Sequence, residues 1–524
     1  MNLRKRRGDR DGAFSGNTPQ RAIIDIGSNT VRLVIYGGSM RAPTVLLNEK
    51  VTAKLGRDIT SSGKLAEEAV ALAMRGLNRF VLLLDDLGIK DVETVATAAV
   101  RDASNGGEFV ESLRELGLDP RVISGEEEAL LSAHGVLGAF PGAKGTVADL
   151  GGGSLELVQV GEGEAFEATT LPLGTLRLPD YRADSRSGTR KSLEKVLKKA
   201  RPDIKKGQPL YLVGGTWRTM AVYAMQLEGH PLSDPHGFEL NPEKAHALVK
   251  ALSDEAPESL KARERISSMR AEKLPDASVL LEAMLSRFEP SAIVISAWGL
   301  REGLLYDRLP PHGKAQDPLL AGISVFATQR GAPPTLAARM AAWTVDAAPA
   351  RKHGSERLRL AATMLALASM QIEPNIRLPQ AVDWALHKRW IAVDGKERAM
   401  LAAAIAANGN QLDMPVEVAE LANAEALEEA VCWGLAVRLA RRLGGRSRKS
   451  LQISRLLVEK DQVVLRLADS HRHLFGIPTE KDLKLLSTRL GLQYKVDIVA
   501  DEDLRAPPLD ADEEAMSERT DWGG

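Results

Sequence analysis

Two short stretches, one subdomain's length apart, are built to the same plan. Arg21–Tyr36 runs Arg-Ala-Ile-Ile-Asp-Ile-Gly-Ser-Asn-Thr-Val-Arg-Leu-Val-Ile-Tyr, and Thr146–Val158 runs Thr-Val-Ala-Asp-Leu-Gly-Gly-Gly-Ser-Leu-Glu-Leu-Val. Each begins as an apolar β-type run ending in an acid, Asp25 or Asp149. Each then has an apolar residue, a glycine turn and a second apolar strand. Glycine lets backbone come close to a ligand, and turn amides with a hydroxyl suit phosphate oxygens. Glu156, two residues past Ser154, shares its strand face. Asp149 and Glu156 can therefore offer the hard oxygen ligands that Mg²⁺ needs. A motif repeated at this spacing predicts two related subdomains facing each other.

Around these stretches strands and helices alternate. Val92–Ala98 reads as a strand, Arg101–Asn105 as a loop, and Glu126–Leu137 as a helix opening on Glu126-Glu127-Glu128. Pro209–Val213 is a strand that runs into Gly214-Gly215-Thr216 and a helix from Thr219. This is a third candidate phosphate contact, at a helix N-terminus. Further helices at Lys64–Asp86, Ser192–Ala200, Pro242–Leu252, Pro275–Arg287 and Trp298–Arg308 imply an α/β architecture up to about residue 310. Pro310–Gly313 reads as a linker. The chain is then alanine- and leucine-rich and helical until Gly444-Gly445-Arg446. Strands at Leu451–Leu457, Gln462–Leu467 and Gln493–Ile498 follow, with a helix at Thr479–Leu490.

At 524 residues the chain needs several cores. The expected division is a disordered basic tail (1–20), subdomains at 21–140 and 141–312, a helical domain (313–443), a small α+β domain (444–500) and an acidic tail (501–524). Hydrophobic content of 44%, charged content of 27% and a net charge of -1 give no global signal for nucleic acid or membrane. One cysteine, Cys432, excludes an intrachain disulfide and a cysteine-rich metal site. With no apolar segment behind the basic N-terminus, a cytoplasmic protein is expected. Its apolar helices are suited to a homodimer.

The motif set resembles the exopolyphosphatase/guanosine pentaphosphate phosphohydrolase family of the actin, sugar-kinase and heat-shock-protein-70 ATPase superfamily. The matching residues are Asp25-Ile-Gly-Ser-Asn29, Ala96–Arg101 with Asn105, Ser124-Gly-Glu-Glu-Glu-Ala129, Asp149–Ser154 with Glu156, and Val213-Gly-Gly-Thr216. The resemblance implies two actin-like (ribonuclease H-like) subdomains and hydrolysis of a phosphoanhydride. It makes Glu128 the catalytic base and Arg101 a phosphate ligand. Asp149 and Glu156 would organise Mg²⁺ or Mn²⁺, and Gly27, Ser28, Asn29, Gly151, Gly152, Gly153 and Ser154 would cradle phosphate. The substrate would be inorganic polyphosphate, cut processively from its end, or guanosine pentaphosphate; a non-catalytic polyphosphate-binding or sensing protein is the further alternative. The helical half is similar in length to a histidine–aspartate phosphohydrolase domain but has no His-Asp pair, and His387 stands alone. Lysines between Lys191 and Lys206 form one basic cluster. Arg438, Arg441, Arg442, Arg446, Arg448 and Lys449 form another, from which Arg446 and Arg448 are expected to line a polyanion channel.

Overall fold

The computed structural model describes residues 19–199 and 204–504. Most of the expected tails lies outside these residues, but β1 begins at Pro19 and Asp501–Leu504 forms a 3₁₀ turn with Leu504 buried. The chain divides into two compact units. One runs to Val325 and takes in Arg389–Asp394; the other comprises Phe326–Lys388 and the chain from Gly395.

The first unit holds two sheets. One comprises β1 (Pro19–Ile26), β2 (Val31–Ser39), β3 (Ala42–Val51), β4 (Val92–Ala96) and β5 (Pro120–Val122) in the order β3-β2-β1-β4-β5. The other comprises β6 (Gly145–Leu150), β7 (Leu155–Gly161), β8 (Glu164–Leu171), β9 (Leu210–Val213), β10 (Glu239–Leu240) and β11 (Ile293–Ser296) in the order β10-β11-β9-β6-β7-β8. In each, an antiparallel three-strand meander is joined through its first strand to parallel strands. The internal repeat is thus a repeat of topology, and both subdomains are actin-like. Parallel strands need cover on both faces. Accordingly Ile23, Ile24 and Ile26 of β1 and Val147 and Ala148 of β6 are fully buried.

The helices Gly125–Ala139 and Leu300–Asp307 cross where neither has room for a side chain. A Cβ on Gly303 would lie 1.7 Å from the Leu131 carbonyl oxygen, and one on Gly135 would lie 2.4 Å from that of Gly299. This crossing joins the two subdomains just behind Glu128.

Several local expectations are corrected. Ala98–Asp102 is a short helix, since the Thr97 carbonyl accepts from the amides of Val100 and Arg101; Arg101 is therefore helical and not in a loop. The helix after β9 begins at Gly215, four residues early, because Gly214 (φ 121°) turns the chain at once. Pro311–Ala315 is a short helix with proline in its first turn, where proline costs no hydrogen bond. The basic helix is Arg186–Leu197. β3, whose mixed sequence gave no signal, is an edge strand.

In the second unit, helices at Pro334–Thr344, Glu356–Ala368, Arg377–Leu386, Gly395–Asn408 and Ala424–Gly444 precede a three-stranded sheet. β12 (Ser454–Glu459) pairs antiparallel with β13 (Gln462–Ala468), and β14 (Gln493–Val499) pairs parallel with β13. Leu451 belongs to a one-turn helix, Arg448–Gln452, and not to the strand expected there. Cys432 is buried and unpaired, its thiol pushed up to about 12 by burial. Among the described residues no helix is long and apolar enough to cross a membrane.

Candidate active site

The two glycine turns face each other. Gly27 N–H donates to the Thr30 carbonyl (3.0 Å), and Gly151 N–H donates to the Ser154 carbonyl (3.0 Å). Both turns are held from behind. Lys54 and Gly56 donate to the carbonyls of Asn29 and Ser28, and Thr175 and Leu176 to those of Gly151 and Gly152. A Cβ placed on Gly152 would lie 3.0 Å from that of Ser28 and 3.4 Å from the Asn29 amide. The turns, with Gly214, Gly215 and Thr216, line a cleft of about 270 Å³ that also receives Asp25, Glu128, Asp149 and Glu156.

The carboxylates arrive from three elements. Asp149 is the penultimate residue of β6 and stands directly opposite Glu156 of β7 in an antiparallel register. Like charges so placed repel. Glu156 is only 2% exposed, and its Oε1 has no hydrogen-bond partner. Glu128 comes from the first turn of Gly125–Ala139, a helix capped by Ser124, whose Oγ accepts from Glu127 N–H at 3.0 Å. One turn on, Ser132 Oγ donates to Asp149 Oδ2. Glu127 leaves the cleft and pairs with Arg121, so of the two adjacent acids only Glu128 faces in.

Burial raises all of these acids. It pushes Glu128 up to about 7: Arg101 opposes the rise, while Asp149 and Asp25 add to it. Asp149 is raised by burial against the Ser132 hydrogen bond. Glu156 is raised well above the carboxylate range by burial, then by Glu128 and Asp149. Asp25 is raised by burial against the field of Arg301. Such a group of mutually repelling acids, with one buried oxygen unpartnered, suits a divalent cation. Among the described residues no three His, Cys, Asp or Glu side chains form a ready-made metal cage. Mg²⁺ does not need one, because it is commonly held by one or two carboxylates, water and substrate phosphates.

Arg101 Nη1 reaches Glu128 Oε2 at 3.4 Å and the Ile123 carbonyl at 3.1 Å, which aims the guanidinium at the acid. Six cations of the lining lay outside the sequence expectation: Arg32, Lys50, Arg218, Arg270, Lys273 and Arg301. Arg301 approaches Asp25 at 3.8 Å. Burial, with Arg301 and Arg270 adding repulsion, pulls Arg218 down to about 10. The signal for Arg218 was its place directly after Gly-Gly-Thr-Trp, hidden by the misread helix start. The others come singly from separate elements and carry no local pattern.

All lining residues belong to the first unit. Arg446 and Arg448 belong to the second, where Arg446 Nη2 donates to the Leu367 carbonyl (3.3 Å) and Arg448 opens a one-turn helix. In the same cluster Arg438 and Arg442 close on Asp482 at 2.9 and 2.7 Å, so two of its six cations share one carboxylate. Asp276 is held by Arg182 at 2.9 and 2.8 Å.

Several known proteins are similar to this chain in sequence. The chain is 27% identical over 341 residues to retrograde regulation protein 2 of Saccharomyces cerevisiae, a match covering 58% of each chain and so less than two thirds of the yeast protein. It is 26% identical over 300 residues to exopolyphosphatase 1 of Mycobacterium bovis, covering 55% of this chain and 87% of that one. The crystal structure of an exopolyphosphatase from Cytophaga hutchinsonii superposes with a TM-score of 0.50 at 28% identity, over 54% of this chain and 96% of the other. The model of the Ppx/GppA phosphatase family matches residues 34–312, which contain every cleft carboxylate except Asp25. The chain belongs to the Ppx/GppA phosphatase family.

Proposed function

We propose that the protein releases orthophosphate, processively, from the end of inorganic polyphosphate with the help of Mg²⁺ or Mn²⁺. The observation that carries this reading over guanosine pentaphosphate is the lining of the cleft. It is rich in Arg, Lys and backbone turns, and none of its residues is aromatic. A nucleoside base is ordinarily held by apolar and aromatic side chains, whereas a phosphate chain asks only for donors and positive charge.

Glu128, poised near neutrality, orients and deprotonates the attacking water. Arg101 holds the terminal phosphoryl group and, by its bond to Glu128, sets the angle of the base. The Gly27–Asn29 and Gly151–Ser154 turns take the phosphate oxygens from two sides. Asp149 and Glu156 would hold the cation, and when bound it screens charge on the transferred phosphoryl and lowers the carboxylates' pKa. Attack by water breaks the P–O anhydride bond and leaves orthophosphate and a chain one unit shorter. The site is made by one chain; we place the protein in the cytoplasm as a homodimer.

The test is phosphate release from polyphosphate, guanosine pentaphosphate and ATP with Mg²⁺, using the wild type and Glu128→Gln. Polyphosphate should be the best substrate. Faster release from the guanosine compound would transfer the assignment to that substrate. Wild-type binding of polyphosphate without turnover would leave a sensor.

A further inference from the structure

Arg270 and Lys273 line the cleft without belonging to the reacting group. Arg270 lies in the one-turn helix Ser268–Ala271, and Lys273 occupies the N-cap position of the helix Leu274–Phe288. Arg270 lies over the Gly214–Thr216 junction. Its Nη1 donates to Thr219 Oγ1 (3.3 Å), and its Nη2 is 3.1 Å from where a Cβ on Gly215 would be. Lys273 Nζ donates to Thr175 Oγ1 (3.2 Å), and the Thr175 amide is bonded to the Gly151 carbonyl, so this ammonium sits beside the second glycine turn.

The segment also reaches the opposite lobe. Asn29 Nδ2 donates to Met269 Sδ at 3.9 Å. Lys54, whose amide holds the Asn29 carbonyl, adds its field to that of Arg270 on Lys273, which burial already pulls down. Nearby acids are engaged elsewhere: Glu272 with Lys261 (3.2 Å) and Asp276 with Arg182. Among the described residues no carboxylate lies within ion-pair distance of Arg270, Lys273 or Lys54. Arg270 and Lys273 are half-buried, and half-buried cations without a counter-ion are held at a cost that a bound anion removes; Lys54 is exposed and adds only its field.

Resting on the polyphosphate reading, we propose that Arg270 and Lys273, with Lys54 opposite, form a second anion subsite that grips the phosphates following the one under attack. The groups that most shift Glu128 are Arg101, Asp149 and Asp25. The subsite cations stand apart from that set, on the Gly215 and Thr175 side. They would fix the chain and leave the hydrolytic step to Glu128 and Arg101, which makes them determinants of affinity for a polyanion.

The experiment measures binding of labelled polyphosphate to Glu128→Gln alone and in combination with Arg270→Gln and Lys273→Gln, across a range of salt. Each added substitution should weaken binding roughly tenfold and flatten the salt dependence. Arg270→Lys and Lys273→Arg should restore most of the affinity. In otherwise wild-type protein, KM should rise while kcat stays within about twofold. Equal affinity and an unchanged salt slope in the combined variants would overturn the subsite and leave the hydrolase reading standing. A merely structural role would lower the melting temperature of both glutamine variants and leave the salt slope alone. Failure of Glu128→Gln itself to bind polyphosphate would overturn the substrate reading and the subsite together.

Discussion

At Glu128 burial and the charges of Asp149 and Asp25 work against ionisation, and Arg101 works for it. The balance near 7 has two consequences of opposite sign. Catalysis needs the ionised base, so kcat/KM for polyphosphate should rise with pH through about 7 and then level, and Glu128→Gln should lose at least a hundredfold in kcat, about the usual worth of a general base. Stability runs the other way. Below about 4.5 the acid is protonated in both folded and unfolded chains. Between there and about 7 the unfolded chain gives up its proton while the folded one keeps it, and the folded state loses ground by a few kcal/mol. Glu128→Gln should therefore melt higher than the wild type at about pH 8 without metal, and the gap should shrink toward about pH 5. A gap that stays constant with pH would place the ionisation elsewhere. The residues of this centre were readable because each sits within a few positions of a glycine turn or a helix cap. Arg32 and Arg301 were not, because a single arginine on a strand or helix looks the same in sequence whether it faces solvent or a cleft.

Among the elements, strands that end in an acid and a glycine turn announced themselves through local sequence, and so did the long amphipathic helix Glu67–Asp86. Short helices did not. Ala98–Asp102 and Pro311–Ala315 are too brief for a periodic pattern and are fixed by carbonyls that the turn leaves open. The basic cluster that runs from the end of Ala424–Gly444 to Lys449 is in part structural. Asp482, 4% exposed on the helix Ile477–Arg489, is clasped by Arg438 and Arg442. Asp482→Ala would leave Arg438, itself 9% exposed, beside Arg441 and Arg442 with no counter-charge. Breaking a buried pair from one side costs about 3–5 kcal/mol. A urea titration should show that loss, while hydrolysis by the folded variant under native conditions should be nearly unchanged.

Over the whole molecule, 69 basic residues meet 70 acidic ones, giving a net charge of -1. A polyanion gains nothing from such a protein at long range. Attraction must come from the cleft, whose lining holds Arg218, Arg270, Lys273 and Arg301, and from Arg101, which bonds Glu128 of that lining. Fields of that kind act over short distances and are screened when the Debye length falls from about 10 Å at 0.1 M salt to about 3 Å at 1 M. The hydrolytic step is different, because Glu128, Asp149 and Glu156 are enclosed and buried charges are screened much less. Salt should accordingly raise KM for polyphosphate steeply and leave kcat almost level. The two effects separate in a full kinetic series at rising ionic strength. A parallel fall in kcat would mean that solvent ions reach the reacting centre and that the cleft does not enclose its base as drawn.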